Sequence, residues 1–263
     1  MKARAFFASK QFNYIFSVLA ILAMWAVWLI AYAVVGNDYI VPSFADTMRR
    51  LGELLTESFF WRSFGMTLAR AVEGWLLAFG CAVVGIALEA LSEKFRFFLG
   101  PFVAVLRVIP TLAVTLMLLL WSSANTVPVI VTFMMLFPVS YAQLGAAYRA
   151  VDVQLLEMAD VYGLSRTDRI FRIAVPQMLP ALFSQAGPNL SLAIKVAVSA
   201  EVLARTYISM GGILADANGT LEIARMFAVT LVLLISGGLI EFALGHLTRI
   251  TDRWTRGRGK EGV

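Results

Sequence analysis

The sequence predicts an all-α, polytopic membrane protein with six transmembrane helices, and three observations carry that expectation. Of its 263 residues, 60% are hydrophobic and only 15% are charged. The apolar residues fall into separate runs whose lengths match the ~20 residues that cross a hydrocarbon layer of ~30 Å. The basic residues behind the net charge of +5 stand beside those runs, where positive flanks set orientation. The charge is therefore assigned to topology and not to nucleic-acid binding. Cys81 is the single cysteine and lies in an apolar run, where it reads as a small core hydrophobe; no intrachain disulfide is possible.

Met1 to Gln11 is a short basic head with Lys2, Arg4 and Lys10, and the first span runs from about Tyr14 to Val35. Ala31-Tyr32-Ala33 has the small-x-small look of a signal cleavage site. The apolar run is too long for an h-region of about 7–15 residues, so an uncleaved span is expected. Gly36 to Arg62 is mixed, and Ser43 to Phe60 has enough periodic apolar residues for a helix on the outer membrane surface. The second span covers about Met66 to Leu91, with Glu73 and Glu89 near its ends and Arg70 placed to pair with Glu73 at helical spacing.

Ser92 to Arg96 is a tight basic turn, and the third span extends from about Phe98 to Trp121. Pro110 inside it frees a backbone carbonyl and bends the chain, and bends can serve gates. Arg107, three residues earlier, either snorkels or pairs with a carbonyl, or contacts a solute. A polar turn, Ser122 to Thr126, leads to the fourth span at about Val127 to Ala147. The fifth covers about Ala181 to Leu203 and carries Lys195 and Glu201. A lysine in mid-span is either ion-paired or faces a polar interior. Asp216, Asn218 and Gly219 mark an outer loop, and the sixth span covers about Leu221 to Leu244, with Glu222 and Arg225 at its outer end. Gly237-Gly238 either permits close helix approach or faces lipid. His246 is interfacial and begins the tail. Three regions result: 1–65 with the first span and outer helix, a core at 66–246 containing a loop at 149–180, and a basic tail at 247–263.

The loop is the longest polar interruption of the chain. Asp152 can cap a short helix whose apolar stripe is Leu155, Leu156, Ala159 and Tyr162. Gly163 sits where a left-handed residue ends that helix, and Ser165 with Asp168 has capping-box spacing for a second. The second carries Arg166, Arg169 and Arg172, and Pro176 and Pro180 limit how far it continues.

Glu157, Ala159, Gly163, Ile173 and Pro176 fall at the spacing of the EAA loop, and the chain resembles the permeases of binding-protein-dependent ABC importers. That loop reads Glu-Ala-Ala, three residues, Gly, nine residues, Ile-x-Leu-Pro; here Met158 and Val175 replace the first Ala and the Leu. Thr67-Leu68-Ala69-Arg70 with Gly74-Trp75, then Arg107, Ile109, Pro110 and Ala113, and finally Ala200-Glu201 with Gly211, resemble the nitrate/sulfonate/taurine branch. Thr115-Leu116, Ser122-Ser123 and Ser209 depart from its usual residues.

The resemblance implies a type I ABC importer permease fold, a pathway shared with a second copy or a related permease, and a bacterial cytoplasmic (inner) membrane location. It implies a separate ATPase dimer that binds ATP and Mg, while this chain binds no cofactor, and a periplasmic or lipid-anchored substrate-binding protein. Glu157, Ala159, Gly163, Ser165, Arg166, Asp168, Arg169, Ile173 and Pro176 would couple to the ATPase, with Glu157 and Gly163 fixing the fold of the loop. Arg107, Pro110, Lys195 and Glu201 are candidates for the pathway or gate. The solute would be a small anion or organic molecule such as nitrate, a sulfonate, taurine or a vitamin precursor. Six spans put both termini on one side, and the excess of basic residues there makes that side cytoplasmic.

No G-x-x-x-x-G-K-[ST] loop, H-E-x-x-H pair or G-x-S-x-G turn occurs in the sequence, so neither ATP hydrolysis nor metal or serine-hydrolase chemistry is expected of this chain. Two rivals remain: an ion-gradient-driven transporter using Lys195 and Arg107, and a membrane scaffold that moves nothing.

Overall fold

The computed structural model describes residues 10–258, and no strand occurs among the described residues. The elements are α1 (Lys10–Val35), α2 (Phe44–Thr56), α3 (Ser58–Leu91), α4 (Glu93–Val108), α5 (Thr111–Leu118), α6 (Val127–Arg149), α7 (Val153–Val161), α8 (Arg166–Arg169), a π-helical turn (Ile170–Ala174), α9 (Val175–Ala204), α10 (Met210–Gly219) and α11 (Ile223–Arg258). Lys2, Arg4 and Lys260 lie outside the described residues, as do the side chains of Arg166 and of the basic tail from residue 247 onward.

Among the described residues, four helices are long and apolar enough to cross a membrane: Ile15–Val35, Ser58–Leu91, Val127–Arg149 and Ile223–His246. A fifth crossing is available as a pair, because α4 and α5 meet at a bend of 94°. The bend falls at Ile109-Pro110, where Ile109 is extended at φ −64°, ψ 126°, as the steric demand of the following proline requires. The one expected span left, the fifth in chain order, lies in α9, whose 30 residues reach ~45 Å at ~1.5 Å per residue. Gln185, Asn189, Lys195 and Glu201 make it less apolar than the others, not shorter.

Several boundaries differ from expectation for local reasons. Helix α3 starts at Ser58, eight residues before the apolar run, because extended Glu57 alone separates it from α2. Asp216, Asn218 and Gly219 are helical in α10 and not loop. Pro176 and Pro180 do not stop the helix: Pro176 sits in the first turn of α9, directly after the π turn, whose wider ring accommodates the missing N–H. The π turn joins the two segments through a bond from Val175 N–H to Ile170 C=O, a wider ring that lets the rod run on from Arg166 to Ala204. Cys81 is exposed on α3 and not in the core.

The described chain forms two compact units. One comprises α1, α2 and residues 216–231. Within it, Trp28 donates to Pro42 C=O at 3.1 Å and its ring packs against Phe44 and Phe227. Ser43 accepts from Asp46 N–H at 3.1 Å and caps α2.

The other unit comprises residues 58–215 and the chain from 232. Helices α3 and α6 pack along much of their length. A Cβ on Gly74 would lie 2.7 Å from Thr132 Cβ, so that crossing is set by backbone proximity. A cluster of Ala82, Ile86, Leu144, Val151, Ala174 and Met178, flanked by Leu156 and Ile173, joins the segment after α6 to the ends of α3 and α6. Gly237 approaches Ser191 of α9, while Gly238 faces open space.

Candidate functional site

The segment from Asp152 to Pro176 is built from local hydrogen bonds. The Asp152 carboxylate accepts from Gln154 N–H at 2.9 Å and opens α7. At the other end Gly163 takes φ +68°. Its N–H bonds to Asp160 C=O and that of Leu164 to Ala159 C=O, both at 3.0 Å. These are the two bonds of a Schellman cap, which depends on a left-handed residue at that point. Ser165 Oγ accepts from Asp168 N–H at 3.1 Å and donates to the Asp168 carboxylate at 2.6 Å. Arg169 pairs with Asp160 across the glycine and donates to Leu164 C=O, and Arg172 pairs with Asp168 at 2.9 Å. Ser165→Ala removes the N-cap, a loss of ~1 kcal/mol. Hydrogen exchange at Asp168 N–H is expected to speed up about fivefold; an unchanged rate would show that the cap is not holding the turn.

Ala159 is fully buried, and Leu156 and Ile173 are half-buried against the core. The expected stripe is narrower than its spacing suggests, since Leu155 and Tyr162 point outward. With Val153, Met158, Val161 and Phe171 they leave an apolar outer surface, Val161 being 87% and Tyr162 77% exposed. Glu157 is exposed and has no hydrogen-bond or ion-pair partner among the described residues.

A second polar assembly lies among α3, α9 and α10. Glu201 is fully buried. Its carboxylate accepts from Arg70 at 2.9 Å, Thr67 Oγ1 at 2.8 Å and Gly211 N–H at 3.2 Å. Arg70 also donates to Ile208 C=O at 3.0 Å and Asn125 Oδ1 at 3.1 Å, and Thr67 Oγ1 accepts from Met210 N–H at 2.9 Å. The expected Arg70–Glu73 pair is therefore corrected: a buried carboxylate 131 residues away takes the guanidinium, and Glu73 stays exposed. A Cβ on Gly211 would sit 2.4 Å from Glu201 Cβ, so the packing around Glu201 requires a glycine there. Ser209 accepts from Gly212 N–H at 2.7 Å and donates to Thr206 C=O at 2.7 Å; it caps α10 where the resemblance led one to expect glycine.

The remaining candidates are dispersed. Arg107 ends α4, is exposed, and donates to Pro138 C=O at 3.3 Å, and Pro110 opens α5 just past the bend. Lys195 is exposed and takes part in none of the ion pairs among the described residues of this chain. Ser184, Pro188, Leu192, Lys195 and Ser199 share this outward face of α9. Reciprocal amide bonds join Gln143 of α6 and Asn189 of α9 at 2.7 and 3.1 Å. That pair and Asn125 were not singled out from the sequence, and Thr67 entered only through the resemblance, because their partners lie on distant helices. Asn189, a buried amide inside an apolar helix, was the available signal.

A family model described as the inner membrane component of binding-protein-dependent transport systems matches residues 77–253. The chain belongs to that family, and is thus a multi-pass inner membrane permease of the ABC importer class rather than an enzyme. Its relatives include the riboflavin transport system permease protein RibX of Chloroflexus aurantiacus, 27% identical over 224 residues, covering 82% of this chain and 81% of RibX. The taurine transport system permease protein TauC of Escherichia coli is 25% identical over 255 residues, covering 94% and 91%. Among solved structures, the MetNI methionine ABC transporter in inward-facing form aligns with a TM-score of 0.64 at 19% identity, over 74% of this chain and 98% of that one. An amino acid ABC transporter crystallised with histidines aligns with a TM-score of 0.60 at 17% identity, over 74% and 93%. The fold is that of these permeases. Membership of the family implies an ATPase and a substrate-binding protein as partners.

Proposed function

We propose that this chain forms half of a solute pathway through a bacterial inner membrane, with a second copy of itself as the other half, and that the Asp152–Pro176 segment couples the pathway to an ATPase dimer. Both termini and this segment face the cytoplasm, by the distribution of basic residues. The ATPase, which binds ATP and Mg, meets the outer surface of α7 and the residues after Gly163. The observation that carries this reading is the segment itself: internally capped, anchored inward through Ala159, Leu156 and Ile173, and apolar outward through Val161, Tyr162 and Phe171.

Asp168 and Arg169 already hold partners within the segment, so Glu157, which has none among the described residues, is the carboxylate left for a partner. Closure of the ATPase on ATP moves the segment, and α9 with it, switching the pathway from inward-open to outward-open; the binding protein delivers solute from outside. Lys195 supports the assignment of α9 to the pathway, because an unpaired lysine among apolar residues is tolerated where it meets water or a partner. Its charge favours a small anionic or organic solute, such as nitrate, a sulfonate or taurine; TauC is named for taurine, whereas RibX is named for riboflavin.

The test is affinity purification of the tagged chain from native membranes. A P-loop ATPase is expected to copurify, and Val161→Asp or Phe171→Asp to lower its recovery by about tenfold, the equivalent of ~1.4 kcal/mol of docking energy. Recovery at the wild-type level in both variants, or no ATPase at all, would leave ion-gradient transport as the reading to pursue.

A further inference from the structure

Helices α4 and α6 and the end of α3 enclose a trough of about 820 Å³, which neither the coupling segment nor the Arg70–Glu201 assembly uses. Arg96 and Arg107 stand on one face of α4, eleven residues and about three turns apart. Arg149 faces them from the last turn of α6. None of the three forms an ion pair among the described residues; the one polar contact is the bond from Arg107 to Pro138 C=O. Gly100, Ala104 and Gly145 lie between the cations and keep the volume open.

Two further polar groups line the same space. Glu89 at the end of α3 has a buried Oε1 without a hydrogen-bond partner, and so has the buried hydroxyl of Tyr141. The trough thus combines an excess of guanidinium donors, suited to a bidentate oxyanion, with an acceptor that a hydrogen-bond donor on the same ligand would satisfy. Sulfate offers only the first half of that match.

We propose that this trough is a binding site for an organic oxyanion carrying an amino or hydroxyl group a few atoms away, held by Arg107 and Arg149 at the anionic end and by Glu89 and Tyr141 at the donor end. Two sources share that chemistry. A soluble amino sulfonate or amino acid would enter from the pathway, which rests on the importer reading; a phosphatidylethanolamine headgroup would enter from the bilayer, which does not.

The experiment uses the full chain in phosphatidylcholine nanodiscs without ATPase, so failure of the coupling reading leaves it intact. Radiolabelled 2-aminoethanesulfonate is expected to bind, and ethanesulfonate to bind more weakly by about tenfold, as loss of a charged hydrogen bond predicts. Arg107→Gln and Arg149→Gln should each lower binding by about tenfold or more, and Glu89→Gln should erase the preference for the amino compound. Ala104→Leu keeps every charge and pushes a branched side chain into the trough between Arg96 and Arg107; it should weaken binding by about tenfold while the protein keeps its elution volume and melting temperature. Retention of phosphatidylethanolamine in native mass spectrometry, lowered in Arg149→Gln and Ala104→Leu, with no sulfonate binding, assigns the site to lipid. Absence of both ligands, or binding of either that is unchanged in Ala104→Leu, overturns the site.

Discussion

Gly163→Val is expected to uncouple the permease, reducing recovered ATPase and solute-stimulated ATP hydrolysis by about tenfold or more, while Gly163→Asn stays near wild type. The difference rests on backbone conformation alone. Gly163 has φ +68°, and a Cβ built there meets nothing within 4 Å, so no side chain is excluded by its size. A β-branched residue in that region costs roughly 1–3 kcal/mol, whereas asparagine visits it readily. Relief of the strain breaks the bonds from Gly163 and Leu164 N–H to Asp160 and Ala159 C=O, and the outward face of α7 loses its fixed angle to the Arg169 turn. Insertion should be unaffected, since the glycine lies outside the apolar spans. Measuring ATP hydrolysis in proteoliposomes with both variants decides the matter: equal rates would remove the left-handed cap from the coupling route.

Glu201→Ala is expected to be the most destabilising single change, because it leaves Arg70, 5% exposed, without its carboxylate. Breaking a buried ion pair from one side costs about 3–5 kcal/mol, which for a chain of this size lowers the melting temperature by the order of 10 °C. Glu201→Gln should cost less, since an amide oxygen still accepts from Thr67 or Gly211. Replacing both partners, Arg70→Met with Glu201→Leu, should recover much of the loss, as buried pairs exchanged for apolar residues do. Thermal unfolding of the three proteins in one detergent tests the order. If the single and double variants melt together, the desolvated arginine is not the source of the cost.

The parts that were legible in the sequence share one property: their determinants lie within a few residues of each other. The Asp152 cap, the left-handed Gly163 and the Ser165–Asp168 pair follow from side chains two or three positions apart, and the spans follow from unbroken apolar runs. Arg70 shows where that reasoning stops. Helical spacing offered Glu73, worth a few tenths of a kcal/mol on an exposed face, and a fully desolvated carboxylate on another helix won. Pro176 misled for a related reason. A proline rule predicts the end of an α-helix, not the π turn that carries the chain past it. Lys195 stood out by its charge, yet its lack of an acidic partner became visible only once the neighbouring helices were in place.

The run from Arg166 through the π turn to Ala204 is one unbroken rod. Its first turn belongs to the surface that would meet the motor, and its far end carries Lys195 and Glu201. A displacement applied at the near end therefore arrives at the far end as lever motion of a single stiff body, without a relay of side chains between. The wide-ringed turn at Ile170–Ala174, with Pro180 and Pro188 further along, is where such a crank can flex, so under the proposed coupling its stiffness there would set how much of each stroke reaches the gate.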